Sequence, residues 1–360
     1  MSSALSLLSE ANRLLETGDL PRARERCKEA VAAFQAAAPA DSIQAAQFFH
    51  SAGVVLETTG AYAEAEACAA QASAQIEALP PGQELLHLQI MGLLGNSLRQ
   101  QGEYEKAEGP LLRAIEIAES MPTHPQEILL AWNNFGILCK YAGWFERGER
   151  AYARALEVAE RLGENREAMT ATILHNLGGL HHARGRFDLA EEPSRRAWKM
   201  RRRLLGANHP TTLADATAYA AVLDRLGRYG ESLPIYELAL DFYERTFGPE
   251  HYETAATLHN LALVERAAGH HARAEKLARR ALDIKTKLLG ATHPDTALSA
   301  LNLAAMLIPS QPEAAELLLQ GALAVLTRAL APDHPHVIRC RQLLEGLRNA
   351  DHHPKREALR

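Results

Sequence analysis

The sequence predicts an all-α protein, a solenoid of about eight helix-turn-helix repeats with a C-terminal capping helix. Two observations predict this fold: glycines recur every 41 or 42 residues, and apolar residues between them follow the three- and four-residue spacing of amphipathic helices. Small residues also recur seven positions before and twelve positions after each glycine, as Ala220 and Ala239 do around Gly227. The glycine series is Gly18, Gly60, Gly102, Gly143, Gly185, Gly227 and Gly269.

Each repeat is expected to be two amphipathic helices with the periodic glycine in the turn between them. Leu174, Leu177 and Leu180, for example, precede Gly185 at helical spacing. Such a pair cannot bury its own apolar faces, so neighbouring repeats must complete one another, with small residues where helices cross closely. The predicted repeats span about 4–39, 46–80, 87–121, 128–163, 170–206, 212–248, 254–290 and 296–331.

The joins between the later repeats are also patterned. His209, His251, His293 and His334 recur just before predicted first helices, and we expect them to cap or pack there. After the last repeat, the apolar segment 335–348 is expected to form a helix that covers the end of the solenoid. Residues 1–348 are therefore predicted to be a single solenoid, and residues 349–360 a flexible tail.

These residues resemble the tetratricopeptide repeat family across nearly the whole chain. The repeat length of 42 residues, the Leu-Gly and His-Pro joins, and Asn-Leu-Ala at Asn260 and Asn302 resemble the kinesin-light-chain-type subgroup. The resemblance implies a right-handed superhelix of helix pairs, whose first helices line a concave groove for peptides or partner proteins. It also implies an adaptor rather than an enzyme.

Composition and charge exclude several classes of protein. With 39 Lys and Arg against 44 Asp and Glu in 360 residues, the net charge of −5 argues against the broad basic surface that non-specific nucleic-acid binding needs. The four cysteines are at least 41 residues apart, which excludes CxxC zinc ribbons and a dense disulfide framework. The first twenty residues do not resemble a signal peptide, and no apolar run approaches the ~20 residues of a membrane span. We therefore expect a cytoplasmic protein that binds neither nucleic acid nor a membrane.

Catalytic and cofactor motifs are missing from the sequence. It contains no glycine-rich phosphate loop, nucleophile elbow or HExxH motif. His175 and His182, seven residues apart on one predicted first helix, could face together, but a closed zinc site needs four ligands. The sequence thus predicts a non-catalytic protein without a cofactor or metal.

The candidate partner-binding residues lie on the first helices, on the face that the family turns toward its groove. One position there is asparagine in four repeats, although asparagine is a mediocre helix former. These four residues are Asn134, Asn176, Asn260 and Asn302. The asparagine amide both donates and accepts hydrogen bonds, which suits an extended peptide backbone; the alternative is that it stitches adjacent helices together. The lysine of the family's carboxylate clamp is missing, so an EEVD-like chaperone tail is not expected. The candidates, with their polar neighbours, are Asn133, Asn134, Lys140, His175, Asn176, His182, Thr217, Asp224, His259, Asn260, Arg266 and Asn302.

A second candidate site is the densest basic run, on the predicted second helix of the fifth repeat. Binding of an acidic partner is one interpretation, and a solvated outer face is the other. The run consists of Arg195, Arg196, Lys199, Arg201, Arg202 and Arg203.

The function that these features predict is a scaffold or adaptor that binds a protein or peptide in its groove. One alternative is a regulatory inhibitor that wraps and sequesters a folded effector, such as a protease or a transcription factor. A weaker one is a peptide-sensing receptor or a subunit of a larger complex. The sequence leaves these alternatives, the partner and the oligomeric state open.

Overall fold

The computed structural model describes residues 2–37, 43–329 and 334–352. All regular secondary structure in these ranges is helical, so the predicted all-α class is confirmed. A short 3-10 helix, Gly163–Asn165, precedes α9. The α-helices are α1 (Ser2–Glu16), α2 (Leu20–Ala36), α3 (Ile43–Thr58), α4 (Tyr62–Glu77), α5 (Glu84–Gln100), α6 (Tyr104–Glu119), α7 (Pro125–Ala142), α8 (Phe145–Ala159), α9 (Arg166–Ala183), α10 (Phe187–Leu205), α11 (Pro210–Arg225), α12 (Tyr229–Phe247), α13 (Tyr252–Ala267), α14 (His271–Leu289), α15 (Pro294–Leu307), α16 (Pro312–Ala329) and α17 (Pro335–His352).

In chain order, α1 to α16 alternate between an odd-numbered first helix and an even-numbered second helix. The two helices pack against each other in α1–α2, α3–α4, α5–α6, α7–α8, α11–α12, α13–α14 and α15–α16. The chain divides into two compact units, residues 1–200 and 201–360, and α10 runs from the first into the second. Each unit is a stack of helix pairs, so the predicted repeat solenoid is confirmed. A single solenoid over 1–348 and its right-handed superhelix stay predictions.

Within each unit, the first helices form the more closely spaced layer. Neighbouring first helices contact one another, from α1 through α9 in the first unit and from α13 through α17 in the second. Among the described residues, the second helices make no comparable contacts with each other. We call the side of the first helices that faces away from the second helices the inner surface of each unit.

The periodic small residues lie where helices approach closely. A Cβ atom added at Gly136 of α7 would lie 2.6 Å from ring atoms of the fully buried Tyr152 of α8, which is too close for any real contact. Gly143, which ends α7, adopts the left-handed conformation with φ of 75°. Close packing against α8 therefore requires glycine at position 136, and the left-handed turn that ends α7 favours glycine at position 143.

Replacing Ala281 by Leu is expected to destabilise the protein by about 1 to 3 kcal/mol, because added volume in a packed core forces strained side chains. Ala281 of α14 is fully buried and packs with Ala255 and Leu258 of α13. Ala272→Leu, at an exposed position of the same helix, is the control. An unchanged denaturant midpoint for Ala281→Leu would break the link between the small-residue period and packing.

The join histidines cap the helices that follow them, as predicted. Nδ1 of His209, His251 and His293 accepts a hydrogen bond from the backbone N–H two residues later, at 3.1 to 3.2 Å. His334 accepts from the backbone N–H of His336 at 3.2 Å. Each capping Nδ1 must be unprotonated to accept.

The predicted capping helix is confirmed as α17, which packs on α15 and α16. Val337, Cys340 and Leu344 of α17 are buried in one cluster with Leu319 and Leu326 of α16. The helix continues to His352, into the predicted tail, while 353–360 lie outside the described residues. So do 38–39 and 330–331, the predicted ends of the first and eighth repeats.

Candidate functional site

In the first unit, two of the candidate asparagines join neighbouring repeats. Asn176 Nδ2 of α9 donates to Asn133 Oδ1 of α7 at 2.7 Å. Asn133 is only 6% exposed, so this bond satisfies an amide oxygen that water hardly reaches. For Asn133 and Asn176, the interpretation that the asparagines join adjacent helices therefore applies.

Asn134 behaves differently from its neighbour. It is half-buried on α7, and within the described ranges its amide makes no hydrogen bond. In the preceding repeat, the position that corresponds to Asn133 is Gly92, which has no side chain to reach Asn134. The amide of Asn134 is therefore available to a partner.

In the second unit, Asn302 of α15 lies at the centre of a polar network. Its Nδ2 contacts His259 Nε2 of α13 at 3.1 Å, and its Oδ1 accepts from Arg339 Nη1 of α17 at 3.3 Å. His259 Nδ1 lies 3.2 Å from Ser299 Oγ. Burial lowers the pKa of His259 to about 4, so the ring is neutral near pH 7, with Nε2 as acceptor and Nδ1–H as donor to Ser299.

Asn260 of α13 is the second free amide. In the part of the chain that the structure describes, its side chain makes no hydrogen bond. The corresponding neighbour in the preceding repeat is Thr217, whose hydroxyl donates instead to the carbonyl of Ala214 on its own helix, at 3.1 Å. The four asparagines thus fall into two groups according to the residue at the preceding position one repeat earlier. A long polar side chain there binds the asparagine amide, whereas glycine or threonine leaves the amide without a hydrogen bond.

The first unit also presents two cations beside an exposed aromatic ring. Lys140 Nζ lies 4.8 Å from the ring centroid of Tyr141, and Arg99 Cζ of α5 lies 5.6 Å from the same centroid. Tyr141 is 53% exposed, and neither cation forms an ion pair with a described residue. The sequence analysis did not single out Arg99 or Tyr141, although Arg99 stands 41 residues before Lys140, one repeat earlier at the same position.

Other candidates are engaged within their own repeats. The Asp224 carboxylate accepts from the Tyr236 hydroxyl of α12 at 2.9 Å, and burial raises the pKa of Asp224. The ring of His182 packs edge-on against Phe187, with centroids 5.2 Å apart. His175 is half-buried on α9. Within the described residues, no group of three or more His, Cys, Asp or Glu side chains is placed to hold a metal ion.

The basic run on α10 contains both exposed side chains and side chains that pair with carboxylates. Arg201 turns toward α11, where its Nε lies 3.2 Å from Oδ2 of Asp215, and the two side chains are 12% and 3% exposed. Arg201 therefore does not belong to an exposed basic surface, because a buried carboxylate binds it. Arg195 pairs with Glu192, while the run's exposed members are Arg196, Lys199, Arg202 and Arg203. Binding of an acidic partner by these residues stays a prediction.

The stacked helix pairs of the two units define a helical repeat protein. The model of the tetratricopeptide repeat matches residues 44–120, 127–203, 169–245 and 212–287. The chain belongs to the tetratricopeptide repeat family, as its repeats predicted. A sequence comparison with curated proteins gives no match. No helix among the described residues has both the length and the apolar character to cross a membrane.

Several solved structures share the fold. BtubC (BKLC) from P. vanneervenii is 22% identical, with a TM-score of 0.55 over 63% of this chain and 92% of that one. A Rap protein complexed with Competence and Sporulation Factor is 12% identical, with a TM-score of 0.55 over 97% and 98% of the two chains. The quorum sensor NprR from B. thuringiensis, in its apo form, is 16% identical, with a TM-score of 0.55 over 84% of this chain and 79% of NprR. NprR in complex with its cognate peptide NprX has a TM-score of 0.52 at 16% identity, over 84% and 82% of the two chains.

Proposed function

We propose that this chain is a non-catalytic scaffold that binds an extended segment of a protein or peptide on the inner surfaces of its first helices. The observation that carries the proposal is a set of first-helix side chains that form no hydrogen bond or ion pair with any described residue. Asn134 and Lys140 provide an amide and a cation in the first unit, and Asn260 and Arg266 provide the same pair in the second. In each unit the amide precedes the cation by six residues.

The free amides suit the backbone of an extended segment. Each exposed peptide unit of such a segment has one N–H donor and one C=O acceptor, and an asparagine side chain can satisfy both. Recognition through the backbone does not depend on the partner's sequence. Selection would come from other first-helix side chains of the same unit, such as Lys140, Arg99 and the exposed ring of Tyr141.

The likeness to NprR supports the proposal only through the fold. NprR has been solved with its cognate peptide, so this fold holds a peptide in that protein. The proposal for this chain rests on its own unpartnered side chains. The regulatory inhibitor, the receptor and the subunit of a larger complex stay predictions, and a stable stoichiometric complex with a folded protein would favour the inhibitor.

Replacing Asn134 or Asn260 by Ala is expected to weaken peptide binding by about 0.5 to 2 kcal/mol, because a neutral hydrogen-bonding group is lost. The effect should depend little on salt, since no charge is removed. Peptides selected from a random display library on the full-length chain provide the ligand, and calorimetry measures the affinity. A selection that yields no saturable binder, or unchanged affinity in both variants, would refute the proposal.

Asn176→Ala is expected to act on stability instead, with a loss of about 1 to 3 kcal/mol, because it leaves the buried oxygen of Asn133 without a donor. Asn134→Ala, on the neighbouring helix, should cost less than about 0.5 kcal/mol, since its amide has no partner to lose. Denaturant titrations of the two variants compare these costs directly. Equal losses in both would mean that the difference in hydrogen bonding does not distinguish the two asparagines.

A further inference from the structure

A buried lysine on a second helix has no counter-charge in contact with it. Lys285 of α14 is only 6% exposed, and among the described residues its ammonium group forms no hydrogen bond and no ion pair. Its Nζ lies 5.8 Å from the ring centroid of Tyr252, at the start of α13. Burial lowers the pKa of Lys285, and the charge of Asp295 on α15 acts in the opposite direction. A buried ammonium group is costly unless an acceptor or an anion compensates it.

The join between α10 and α11 has the same geometry as the join between α14 and α15. Arg201, near the end of α10, stands two repeats before Lys285. The hydroxyl of Thr212 on α11 donates to the carbonyl of Arg201 at 3.4 Å. Two repeats later, the hydroxyl of Thr296 on α15 donates to the carbonyl of Lys285, again at 3.4 Å. The side-chain contacts of the earlier join therefore show which residues face each other in the later one.

The earlier join contains a carboxylate that the later join lacks. Arg201 Nε lies 3.2 Å from Oδ2 of Asp215, which follows Thr212 by three residues, about one helical turn. Ser299 follows Thr296 by the same three residues and is 2% exposed, so it stands where Asp215 stands. Lysine is shorter than arginine and serine is shorter than aspartate. The later join thus places a cation opposite a hydroxyl, with more room between the two side chains.

The hydroxyl of Ser299 can donate to a further group. Ser299 Oγ lies 3.2 Å from His259 Nδ1, and the neutral imidazole donates this bond. A serine hydroxyl that accepts one hydrogen bond keeps its own hydrogen for another acceptor. Asp295 does not take that place, because it accepts from the Tyr252 hydroxyl and forms no ion pair with Lys285. Lys285 and Ser299 therefore both lack an acceptor.

We propose that Lys285 and Ser299 bind a small monovalent anion, of the size of chloride, between α14 and α15. The anion takes the place that the Asp215 carboxylate has in the earlier join. It balances the charge of the ammonium group and accepts from the serine hydroxyl. Because Ser299 also accepts from His259, the anion would join α13, α14 and α15 in one polar network. The site shares no residue with the proposed peptide site, so either proposal can fail alone.

Thermal unfolding at constant ionic strength tests for the anion. The full-length chain is compared in sodium chloride and in sodium gluconate, whose anion is too large for the site. Chloride at about 100 mM is expected to raise the unfolding midpoint by about 2 °C, with a saturable dependence on concentration, since a ligand of the folded state stabilises it. Equal midpoints in the two salts would overturn the proposal.

Variants assign the chloride response to the site. Lys285→Met should abolish the response, and Ser299→Ala should raise the chloride concentration of half-maximal effect at least threefold. Ser299→Asp copies the earlier join, so it should raise the midpoint in gluconate and remove the response to chloride. Lys287→Met is the matched control, because this exposed lysine of the same helix pairs with Glu250, and its response should equal that of the unmutated chain. An unchanged response in Lys285→Met or in Ser299→Asp would contradict the assignment.

Asp295 is the other group that could compensate the buried ammonium. If the anion site exists, Asp295→Asn removes a neighbouring negative charge and should lower the chloride concentration of half-maximal effect. If Asp295 compensates Lys285 instead, the variant should lose as much stability as Lys285→Met and show no chloride response, which overturns the proposal.

Anomalous diffraction from crystals grown in sodium bromide locates the ion. Bromide is expected between Lys285 Nζ and Ser299 Oγ, and its absence there would overturn the proposal. Bromide at this position without a chloride response in solution would be an adventitious ion only, with the same consequence.

Discussion

Replacing Asp215 by Ala is expected to destabilise the protein by about 3 to 5 kcal/mol, the usual cost of removing one partner from a buried ion pair. Asp215 of α11 is almost completely buried, and Arg201 at the end of α10 reaches it with Nε at 3.2 Å. Without the carboxylate, a largely buried guanidinium loses the anionic acceptor at 3.2 Å. The loss arises from the buried charge that this acceptor balanced rather than from a large intrinsic strength of the pair.

Hydrogen exchange with mass spectrometry can localise this effect in the full-length chain. Peptides from the end of α10 and from α11 should exchange faster in Asp215→Ala, whereas exchange in α1 through α4 should not change. Asp241→Ala removes the partner of Arg245 in a pair whose side chains are 50% and 77% exposed, and should cost less than about 1 kcal/mol. The double variant Arg201→Met with Asp215→Leu should recover most of the stability. Similar losses for Asp215→Ala and Asp241→Ala would contradict the role of burial.

The fold could be predicted from the sequence because the same constraints recur in every repeat. A turn that needs a left-handed residue selects glycine, as at Gly143, and a crossing without room for a Cβ selects it again, as at Gly136. Each constraint is local, so its period appears directly in the sequence. Seven or eight repetitions make that period unmistakable.

The candidate site was less predictable, because it depends on contacts between repeats. The residue one repeat earlier decides whether an asparagine amide is hydrogen-bonded within the protein. Asn133 and His259 bind the amides of Asn176 and Asn302. Gly92 and Thr217 leave those of Asn134 and Asn260 without a partner. Comparing these positions along the chain could have found the rule. The direction of the Arg201 side chain could not have been found this way, since a long flexible side chain takes the orientation that its buried neighbour selects.

The network that Asn302 makes with His259 depends on a neutral imidazole, and this gives the second unit an expected sensitivity to acid. Burial holds the pKa of His259 at about 4 in the folded protein, against about 6.5 for an unfolded histidine. Above pH 6.5 the ring is neutral in both states and the network is intact. As the pH falls from 6.5 toward 4, the unfolded chain takes up the proton first, so stability is lost, by on the order of 3 kcal/mol at the acid end. A proton on Nε2 would also oppose the amide donor of Asn302.

His259→Gln provides the test, because its side-chain amide is always neutral and can still accept from Asn302 and donate to Ser299. Denaturant titrations at pH 7 and at pH 4.5 should show a smaller loss of stability on acidification in the variant than in the unmutated chain. His336, whose pKa is also lowered by burial, is present in both proteins, so the difference between them belongs to His259. Histidine NMR gives the pKa directly, with the signal that the variant lacks assigned to His259. An NMR value near 6.5, or the same loss of stability in both proteins, would show that the buried network does not depend on the neutral ring.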